Sequence, residues 1–509
     1  MGYVLSVVLR NREKALHFHQ KLIFFLTFGE SGRKMLIGRK KEIALLQEAL
    51  ESPKAEMIAV IGRRRVGKTF LVDTIYKDRI IFKQTGVRNA PNEAQLRTFT
   101  QAVEQLAGET LEVPRDWLDA FFLLRKHLEA HISKDKKVVL FFDELSWLAV
   151  PKSNFLDYLG HFWNDWAYQQ NVVIVLCGSA SSWVIQKVIN DKGGLHNRVT
   201  RYLHLKPFTL QETELYLQSK HCTFTKYQIV QMYMAFGGVP LYLEEIKRGK
   251  SAVQNINDIC FSETGLLKNE FNRLYPALFE NADDHIAVIR ALASKKKGLS
   301  RTEIIETAKV ANGSSTSKVL EELEQSDFIM AYHPFKKKKK DKIYRLIDEY
   351  SLFYLRFIEN TAFEGAGTFM QLSNEQAFKI WCGYAFEGIC MKHVQQIKKA
   401  LGVSGVYTTT YSYLRKATPE EKGLQIDMLL ERADRVINLF EIKFYDREFS
   451  FTKAYADQLR ERLHLFKRLS KTRSQVWITM ITTFGLKHNM HSLGLVEKVL
   501  TLEDLFLGE

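Results

Sequence analysis

Short runs of apolar residues in the first half of the chain predict strands that are buried on both faces. Such runs are "EMIAVI", "KKVVLFF" and "NVVIVLC". Unbroken apolar strands are typical of parallel sheets that helices cover on both sides. A helical pattern follows Met35, where Ile43, Leu46 and Leu50 recur at helical spacing. The first half of the chain therefore predicts an α/β fold built on a parallel sheet.

The pattern changes at about residues 282–345, where three short helical segments precede two β-like stretches. Ser300 and Glu303 have the spacing of a capping box at the start of the second helix. This order predicts a winged helix-turn-helix. The run Lys336–Lys340 between the two β-like stretches would meet DNA phosphates. The alternative is a solvated loop beside helices that serve as a spacer or docking domain.

Near the C-terminus, "LQIDMLLE" and "RVINLFEIKF" flank a short connection at Ala433–Arg435 and predict an antiparallel hairpin. A three-residue loop puts Asp427 opposite Glu441. Strand alternation then places Asp427, Glu441 and Lys443 on one face. It places seven apolar residues on the other face: Leu424, Ile426, Met428, Leu430, Phe440, Ile442 and Phe444.

Two carboxylates in this hairpin require compensation of their charge. At about 5 Å apart they repel by roughly 3 kcal/mol at an effective dielectric near 20. Lys443 offsets part of this repulsion, and a divalent cation would offset the rest. Mg²⁺ suits two carboxylates, water and a phosphate oxygen, which is the chemistry of a nuclease. The alternative is a half-exposed hairpin with a polar outer face.

The composition is that of a folded, basic protein. The chain has 509 residues, 46% of them hydrophobic, and a formal net charge of +15. This length allows roughly three domains. The positive charge favours polyanionic partners such as nucleic acid or nucleotide phosphates. A basic surface without such a partner would have the same composition.

The five cysteines lack metal-site or disulfide spacing, and we expect a reducing, cytoplasmic location. The longest apolar run near the N-terminus, "KLIFFLTFG", is too short to span a membrane, so we expect no membrane association. Residues 1–34 are interpreted as an extension ahead of the first domain, and whether it is native stays open.

A phosphate-binding loop follows the first apolar run. Gly62 and Gly67 bracket four residues, and Lys68 and Thr69 follow before a helical pattern. Glycines let backbone N–H groups surround phosphate oxygens, while the lysine reaches the β and γ phosphates and the hydroxyl binds Mg²⁺. The predicted nucleotide-binding segment is Gly62, Arg63, Arg64, Arg65, Val66, Gly67, Lys68, Thr69 and Phe70.

An acidic pair and a serine end the next two apolar runs. Asp143 and Glu144 follow the second run, and Ser179 follows the third. Parallel strands end at one edge of their sheet, where ligands bind. We therefore expect Asp143 to hold Mg²⁺, Glu144 to orient or deprotonate the attacking water, and Ser179 to sense the γ-phosphate.

These motifs together resemble AAA+ ATPases of the archaeal and bacterial branch related to STAND signal-transduction ATPases. The resemblance covers about residues 35–270 and includes "GRRRVGKT", "FFDE", "GSA", the segment with Arg198 and Arg201, and "GGVP", which contains Gly237, Gly238 and Pro240. It implies ATP and Mg²⁺ as cofactors and a role for Pro240 in nucleotide binding. It also implies that Arg198 contacts the γ-phosphate of a neighbouring subunit in a homo-oligomer, whereas a structural salt bridge is the alternative.

The C-terminal acids resemble the PD-(D/E)xK nucleases, which have a restriction-endonuclease-like fold. Asp427 is followed after a gap by Glu441-x-Lys443, but Ile426 stands where the family has proline. The resemblance implies a metal site of Asp427 and Glu441 with an upstream acid, Glu387. Gln458 would add a polar contact.

The order of motifs predicts five parts: an extension at 1–34, an ATPase core at 35–208, a helical lid at 209–280, a winged helix at 281–348 and a nuclease-like domain at 349–509. The preferred function is an ATP-driven switch that controls DNA binding or Mg²⁺-dependent DNA cleavage. The alternatives are a signalling scaffold with an inactive tail and a DNA-binding regulator.

Overall fold

The computed structural model describes residues 36–190, 193–295, 297–336, 341–361, 367–415, 417 and 423–508. The predicted extension at 1–34, Met35 and Lys337–Lys340 lie outside the described residues.

The N-terminal part is built on a five-stranded, fully parallel sheet in the order β2-β3-β4-β1-β5. Its strands are β1 (Glu56–Ile61), β2 (Ile80–Thr85), β3 (Val138–Asp143), β4 (Val172–Gly178) and β5 (Arg201–His204). Every residue of β1, β3 and β4 is buried. The predicted α/β fold with a parallel sheet is therefore confirmed.

Helices cover both faces of this sheet and create two separate apolar clusters. The helices are α1 (Lys40–Glu51), α2 (Lys68–Tyr76), α3 (Asn92–Ala107), α4 (Trp117–Leu128), α5 (Leu145–Leu148), α6 (Phe155–Asp165) and α7 (Ser181–Val184). Trp117, Phe121 and Phe142 belong to the larger cluster. A sheet buried on both sides fixes the places at which its strands end, and those places form the candidate site below.

A helical region follows the sheet. It contains α8 (Leu210–Ser219), α9 (Lys226–Phe236), α10 (Pro240–Glu244), α11 (Ala252–Cys260) and α12 (Phe271–Leu274). Capping boxes at Thr209, Thr225 and Ser251 begin three of these helices. Each box satisfies backbone N–H groups that a helix start would otherwise leave unpaired.

The middle region combines three helices with a small antiparallel sheet. The helices are α13 (Ala282–Ala293), α14 (Arg301–Ala308) and α15 (Ser314–Gln325), and the strands β6 (Leu299–Ser300), β7 (Ile329–Tyr332) and β8 (Ile343–Leu346) lie in the order β6-β8-β7. The capping box of Ser300 and Glu303 forms as predicted. The β7–β8 pair is antiparallel, and Lys336 in the connection donates to the carbonyl oxygen of Ser470 at 2.6 Å.

The C-terminal region contains a mixed five-stranded sheet in the order β15-β13-β11-β10-β9. Its strands are β9 (Thr408–Arg415), β10 (Leu424–Arg432), β11 (Val436–Lys443), β13 (Gln475–Thr482) and β15 (Lys498–Leu500), and β12 (Phe449–Ser450) pairs separately with β14 (Leu486–Lys487). The helices are α16 (Glu349–Phe353), α17 (Thr368–Asn374), α18 (Gln376–Lys392), α19 (Val394–Ala400), α20 (Lys453–Ser470) and α21 (Leu502–Leu505).

The predicted hairpin forms in the predicted register, because Leu429 pairs with Leu439 and Glu431 with Ile437. The prediction that seven apolar residues share one face is wrong. Met428, Leu430 and Phe440 belong to one apolar cluster, whereas Leu424 and Ile426 belong to a second cluster with Leu429, Ile437 and Leu439. The cause is a register shift between Ile426 and Leu429 where β10 pairs with β9, which breaks the alternation of faces.

One large apolar cluster crosses the predicted domain limits. It includes residues from Phe208 after the first sheet to Phe506 near the C-terminus, and the buried α16 contributes Tyr350 and Phe353. The helical, middle and C-terminal regions therefore share one core. Within the residues described above, no helix combines the length and apolar character that crossing a membrane requires.

Gly238 supports a close contact between two segments of the helical region. The Phe208 N–H donates to the carbonyl oxygen of Gly238 at 2.6 Å, and a Cβ on Gly238 would lie 1.9 Å from the oxygen of Phe208. We expect Gly238→Ala to lower the free energy of unfolding by about 1–3 kcal/mol in urea titrations, because the backbone must move.

Gly383→Ala is the matched control for this substitution. Gly383 lies within α18, and a Cβ there meets no atom within 4 Å. It should leave stability unchanged or raise it by about 0.5–1 kcal/mol. Equal stability of the two variants would contradict the packing role of Gly238.

Candidate functional site

The loop between β1 and α2 has the backbone of a phosphate-binding loop. Gly62 and Gly67 have φ angles of +145° and +92°. A Cβ on Gly62 would lie 2.2 Å from the carbonyl oxygen of Leu205, so only glycine fits. Lys68 is buried at the start of α2 and donates to the carbonyl oxygens of Gly62 at 2.8 Å and Arg63 at 3.0 Å.

Four polar side chains gather around this lysine at the carboxyl edge of the sheet. The Thr69 hydroxyl donates to the Asp143 carboxylate at 2.7 Å. The Ser179 hydroxyl donates to the Glu144 carboxylate at 2.6 Å. Burial lowers the pKa of Lys68, and the charges of Glu144 and Asp143 oppose that shift. The sheet therefore brings together residues from the ends of three parallel strands.

The three arginines of the loop each contact a different part of the structure. Arg63 forms a buried ion pair with Asp348, and its guanidinium carbon lies 4.7 Å from the centre of the Phe328 ring. Arg65 forms an ion pair with the buried Glu270. Arg64 lies over the ring of Trp147, at 5.6 Å from its centre.

The remaining predicted nucleotide-site residues lie in different surroundings. Val66 is buried, whereas Phe70 is 37% exposed. Pro240 is the first residue of α10, whose Tyr242 lies under the guanidinium of Arg65. Arg198 is exposed in the segment before β5. Arg201 instead forms salt bridges with Glu48 and Glu56.

The C-terminal Glu441 is held by three donors. Its buried carboxylate accepts hydrogen bonds from the Tyr455 hydroxyl at 2.6 Å and from Arg462 at 2.7 Å, and it lies 2.9 Å from the Lys443 ammonium. Burial favours the neutral acid, but Lys443 and Arg462 outweigh it and hold the pKa of Glu441 below its usual value. Tyr455 and Arg462 both belong to α20.

The other two acids form a separate electrostatic pair. Burial and the charge of Asp427 raise the pKa of Glu387 to about 7, against the opposing charge of Arg345. The Arg345 guanidinium is buried, 3.4 Å from the Glu387 carboxylate. Asp427 accepts a hydrogen bond from the Gln425 amide at 2.7 Å. Lys443 connects Glu441 with the pair of Glu387 and Asp427, because its charge also lowers the pKa of Glu387.

This arrangement explains how the protein tolerates its C-terminal acids. Lys443 and Arg462 compensate the negative charge of Glu441, and Arg345 compensates that of Glu387. The protein's own cations therefore supply much of the charge compensation that we expected from a metal ion. Among the residues that the structure describes, no group of three or more His, Cys, Asp or Glu side chains is arranged to hold a metal ion. The carboxylate oxygens of these acids fit Mg²⁺ only if Glu441 releases one of its three partners, which are Tyr455, Arg462 and Lys443.

Sequence reasoning missed Arg345, Asp348, Tyr455 and Arg462. The last two have a recognisable signal, because residues seven apart on a helix share one face. Gln458, which was assigned to the same helix, is exposed.

Comparisons with known proteins found similarities to ATPases in the N-terminal part. Residues 36–246 match the model of an ATPase domain predominantly from Archaea. An uncharacterized protein of Methanocaldococcus jannaschii, MJECL04, is 22% identical over 432 residues, which cover 84% of this chain and 92% of that protein.

Solved structures of Walker-type and related ATPases are also similar. The Walker-type ATPase paby2304 of Pyrococcus abyssi has a TM-score of 0.47 and 17% identity, and the match covers 63% of this chain and 96% of that one. The ORC2 protein of Aeropyrum pernix has a TM-score of 0.39 and 15% identity, with 69% and 98% covered. A STAND protein of Pyrococcus horikoshii has a TM-score of 0.30 and 15% identity, with 74% and 53% covered.

The pKa of Glu441 leads to a prediction about stability and pH. Its value in the folded protein lies below the ordinary 4.5, so its contribution is complete above about pH 4.5 and is lost as the pH falls through the folded value. At pH 7, Glu441→Gln should lower the free energy of unfolding by about 3 kcal/mol, because Lys443 and Arg462 lose their counter-charge.

In urea titrations, the difference between the parent protein and Glu441→Gln should shrink as the pH is lowered below the ordinary carboxyl range. The exposed Glu448 provides the control, and Glu448→Gln should resemble the parent protein throughout. A difference that stays constant with pH would show that the charge of Glu441 does not stabilise the fold.

Proposed function

We propose, on the premise that residues 36–246 form an ATPase domain of the archaeal P-loop type, that ATP binding and hydrolysis there control DNA binding and DNA cleavage by the rest of the chain. The observation that carries the ATPase part is the grouping of Lys68, Thr69, Asp143, Glu144 and Ser179 at one edge of the parallel sheet.

The residues of this site fit Mg-ATP. Backbone N–H groups of the loop and the Lys68 ammonium would bind the phosphates, and Thr69 and Asp143 offer the oxygen ligands that Mg²⁺ prefers. Bound Mg²⁺ would neutralise charge on the phosphates. Glu144 would orient the attacking water, and its hydrogen bond with Ser179 fixes the carboxylate beside the strand end. Pro240 would place the start of α10 beside this loop.

Arg198 supports a more specific proposal about assembly. It is an exposed cation in the segment that leads to β5, the edge strand next to β1. An exposed arginine can reach the γ-phosphate of a neighbouring copy and stabilise the charge of the transition state. We therefore include a homo-oligomer in the proposal.

Lys68→Ala should lower ATP hydrolysis at least about 100-fold, because the loop loses its phosphate-binding cation. The rate of ATP hydrolysis is measured by the release of inorganic phosphate. The control is Lys83→Ala, since Lys83 lies on β2 of the same sheet and pairs with Asp73 at a partly exposed position. Retained hydrolysis in Lys68→Ala would refute the assignment of the phosphate site.

The DNA-directed part rests on the middle and C-terminal regions. Three helices with the antiparallel β7–β8 pair have the element order of a winged helix, and the sequence between these strands contains a lysine run that favours DNA phosphates. The mixed C-terminal sheet carries Asp427 on β10 and Glu441 and Lys443 on the adjacent β11. Lys443 next to Glu441, and acting on Glu387, is the observation that favours a nuclease-like site.

The test of cleavage compares the parent protein with Asp427→Asn on plasmid and linear DNA, with and without Mg²⁺ and ATP. We expect Mg²⁺-dependent cleavage that falls at least about 100-fold in the variant, because one carboxylate at the reacting phosphate is lost. Asp434→Asn in the β10–β11 turn is the control, since Asp434 pairs with Arg432 away from the acids.

DNA binding in the same samples separates the alternatives. Binding without cleavage, unchanged by Asp427→Asn, would replace the nuclease with a DNA-binding regulator. ATP hydrolysis with neither binding nor cleavage would leave a signalling scaffold.

A further inference from the structure

The strand β8 and the residues that follow it contact both proposed sites. Arg345 on β8 reaches the C-terminal acids, and Asp348, three residues later, reaches the phosphate-binding loop. Both side chains are almost fully buried, with exposures of 3% and 2%. The distance between the two sites is thus bridged by one short segment of chain.

The contact with the phosphate-binding loop is a single buried ion pair. Asp348 is the ion partner of Arg63, which is 1% exposed. Among the described residues, Nε and Nη2 of Arg63 have no hydrogen-bond partner, so the guanidinium depends on Asp348. A buried charge with one partner follows that partner, because separating them leaves an uncompensated charge in the interior.

The other oxygen of Asp348 fixes the direction of the following helix. It accepts hydrogen bonds from the backbone N–H of Ser351 at 2.8 Å and from its hydroxyl at 2.6 Å, which caps α16. The backbone of Asp348 also donates to the Phe328 carbonyl oxygen at 3.2 Å. A movement of Asp348 would therefore be transmitted to the start of β7 and to α16, and along the chain to β8.

Arg345 forms the contact with the C-terminal acids. Its guanidinium carbon lies 4.6 Å from the centre of the Tyr384 ring, and its nitrogens lie 3.3 Å from the Met391 sulfur and 3.4 Å from the Glu387 carboxylate. All three partners belong to α18. Its charge also interacts with that of Asp427.

The phosphate-binding loop holds the Lys68 ammonium through its own backbone. The Lys68 ammonium donates to the carbonyl oxygens of Gly62 and Arg63. The ammonium has three N–H groups, so a phosphate that accepts from Lys68 would compete with these carbonyl oxygens, and we expect the backbone at Arg63 to shift when nucleotide binds.

We propose that Arg345 is the positioning residue for the carboxylates of Glu387 and Asp427, and that the ion pair of Arg63 with Asp348 makes its position follow the state of the phosphate-binding loop. The inference rests on the proposed function, since it assumes nucleotide at Lys68 and a working site at the acids. It assigns to β8 and the start of α16 the role of coupling the phosphate-binding loop to the C-terminal acids.

Hydrogen exchange of the full-length protein tests this coupling, with the non-hydrolysable analogue adenylyl imidodiphosphate and Mg²⁺ as the probe. In the parent protein, the analogue should change the exchange rate of amides in α18 at least about threefold. In Asp348→Asn that change should fall below about 1.5-fold while the analogue still binds. Asparagine can still cap α16, so the substitution removes the charge and keeps the cap.

Asp116→Asn is the matched control. Asp116 caps α4 by accepting from the backbone N–H of Asp119 at 3.0 Å and lies at a partly exposed position. This variant should keep the full response of the parent protein in α18.

Arg345→Gln tests the other end of the segment and leaves the phosphate-binding loop intact. It should bind the analogue as the parent protein does and lose the response in α18, whereas Arg345→Lys should restore at least half of it, because the charge is retained. Arg290→Gln is the control, since Arg290 pairs with Glu359 instead. If Asp348→Asn fails to bind the analogue or to fold, the two Arg345 variants decide the question.

The outcomes separate this inference from the proposed function. If the parent protein binds the analogue and α18 does not respond, the coupling is wrong and the ATPase proposal stands. A response that persists in both Asp348→Asn and Arg345→Gln also overturns the coupling. If the parent protein binds no analogue, both proposals fail.

Discussion

The buried ion pair of Arg63 with Asp348 constrains the rest of the structure. An arginine inside the phosphate-binding loop cannot reach solvent, and its carboxylate partner lies 285 positions further along the chain. The charge of Arg63 and hydrogen bonds from Ser351 hold the pKa of Asp348 low although burial acts against ionisation. The loop, the middle region and α16 must therefore pack together for either charge to be accommodated.

The segment that carries Asp348 also lies where the regions after the first sheet share a large apolar cluster. Residues 348–351 contact several elements at once: Asp348 contacts Arg63, Glu349 binds Lys392 of α18 at 2.7 Å, and the Tyr350 hydroxyl donates to the Leu267 carbonyl oxygen. The shared apolar cluster is built around the same segment. Domain limits read from sequence alone would divide this core at residues 348 and 349.

The sequence predicts well what neighbouring residues determine. The glycines of the loop, Lys68 and Thr69 are adjacent in the chain, and the strand ends at Asp143 and Gly178 follow from apolar runs, so the grouping of these residues at one edge of the sheet could be inferred. The hairpin register followed from the length of its turn. Arg345 and Asp348 could not be found in this way, because their partners come from distant segments and only the packed fold brings them together.

The register shift in β10 has a consequence beyond packing. In a regular strand, alternate side chains point to opposite faces of the sheet. In β10 this alternation is interrupted between Ile426 and Leu429. Asp427 consequently interacts with Glu387 of α18, while Glu441 on the neighbouring strand is held by α20. One inserted residue thus divides the acids between two helices, and Lys443, which contacts Glu441 and acts on Glu387, is the side chain that links the two groups.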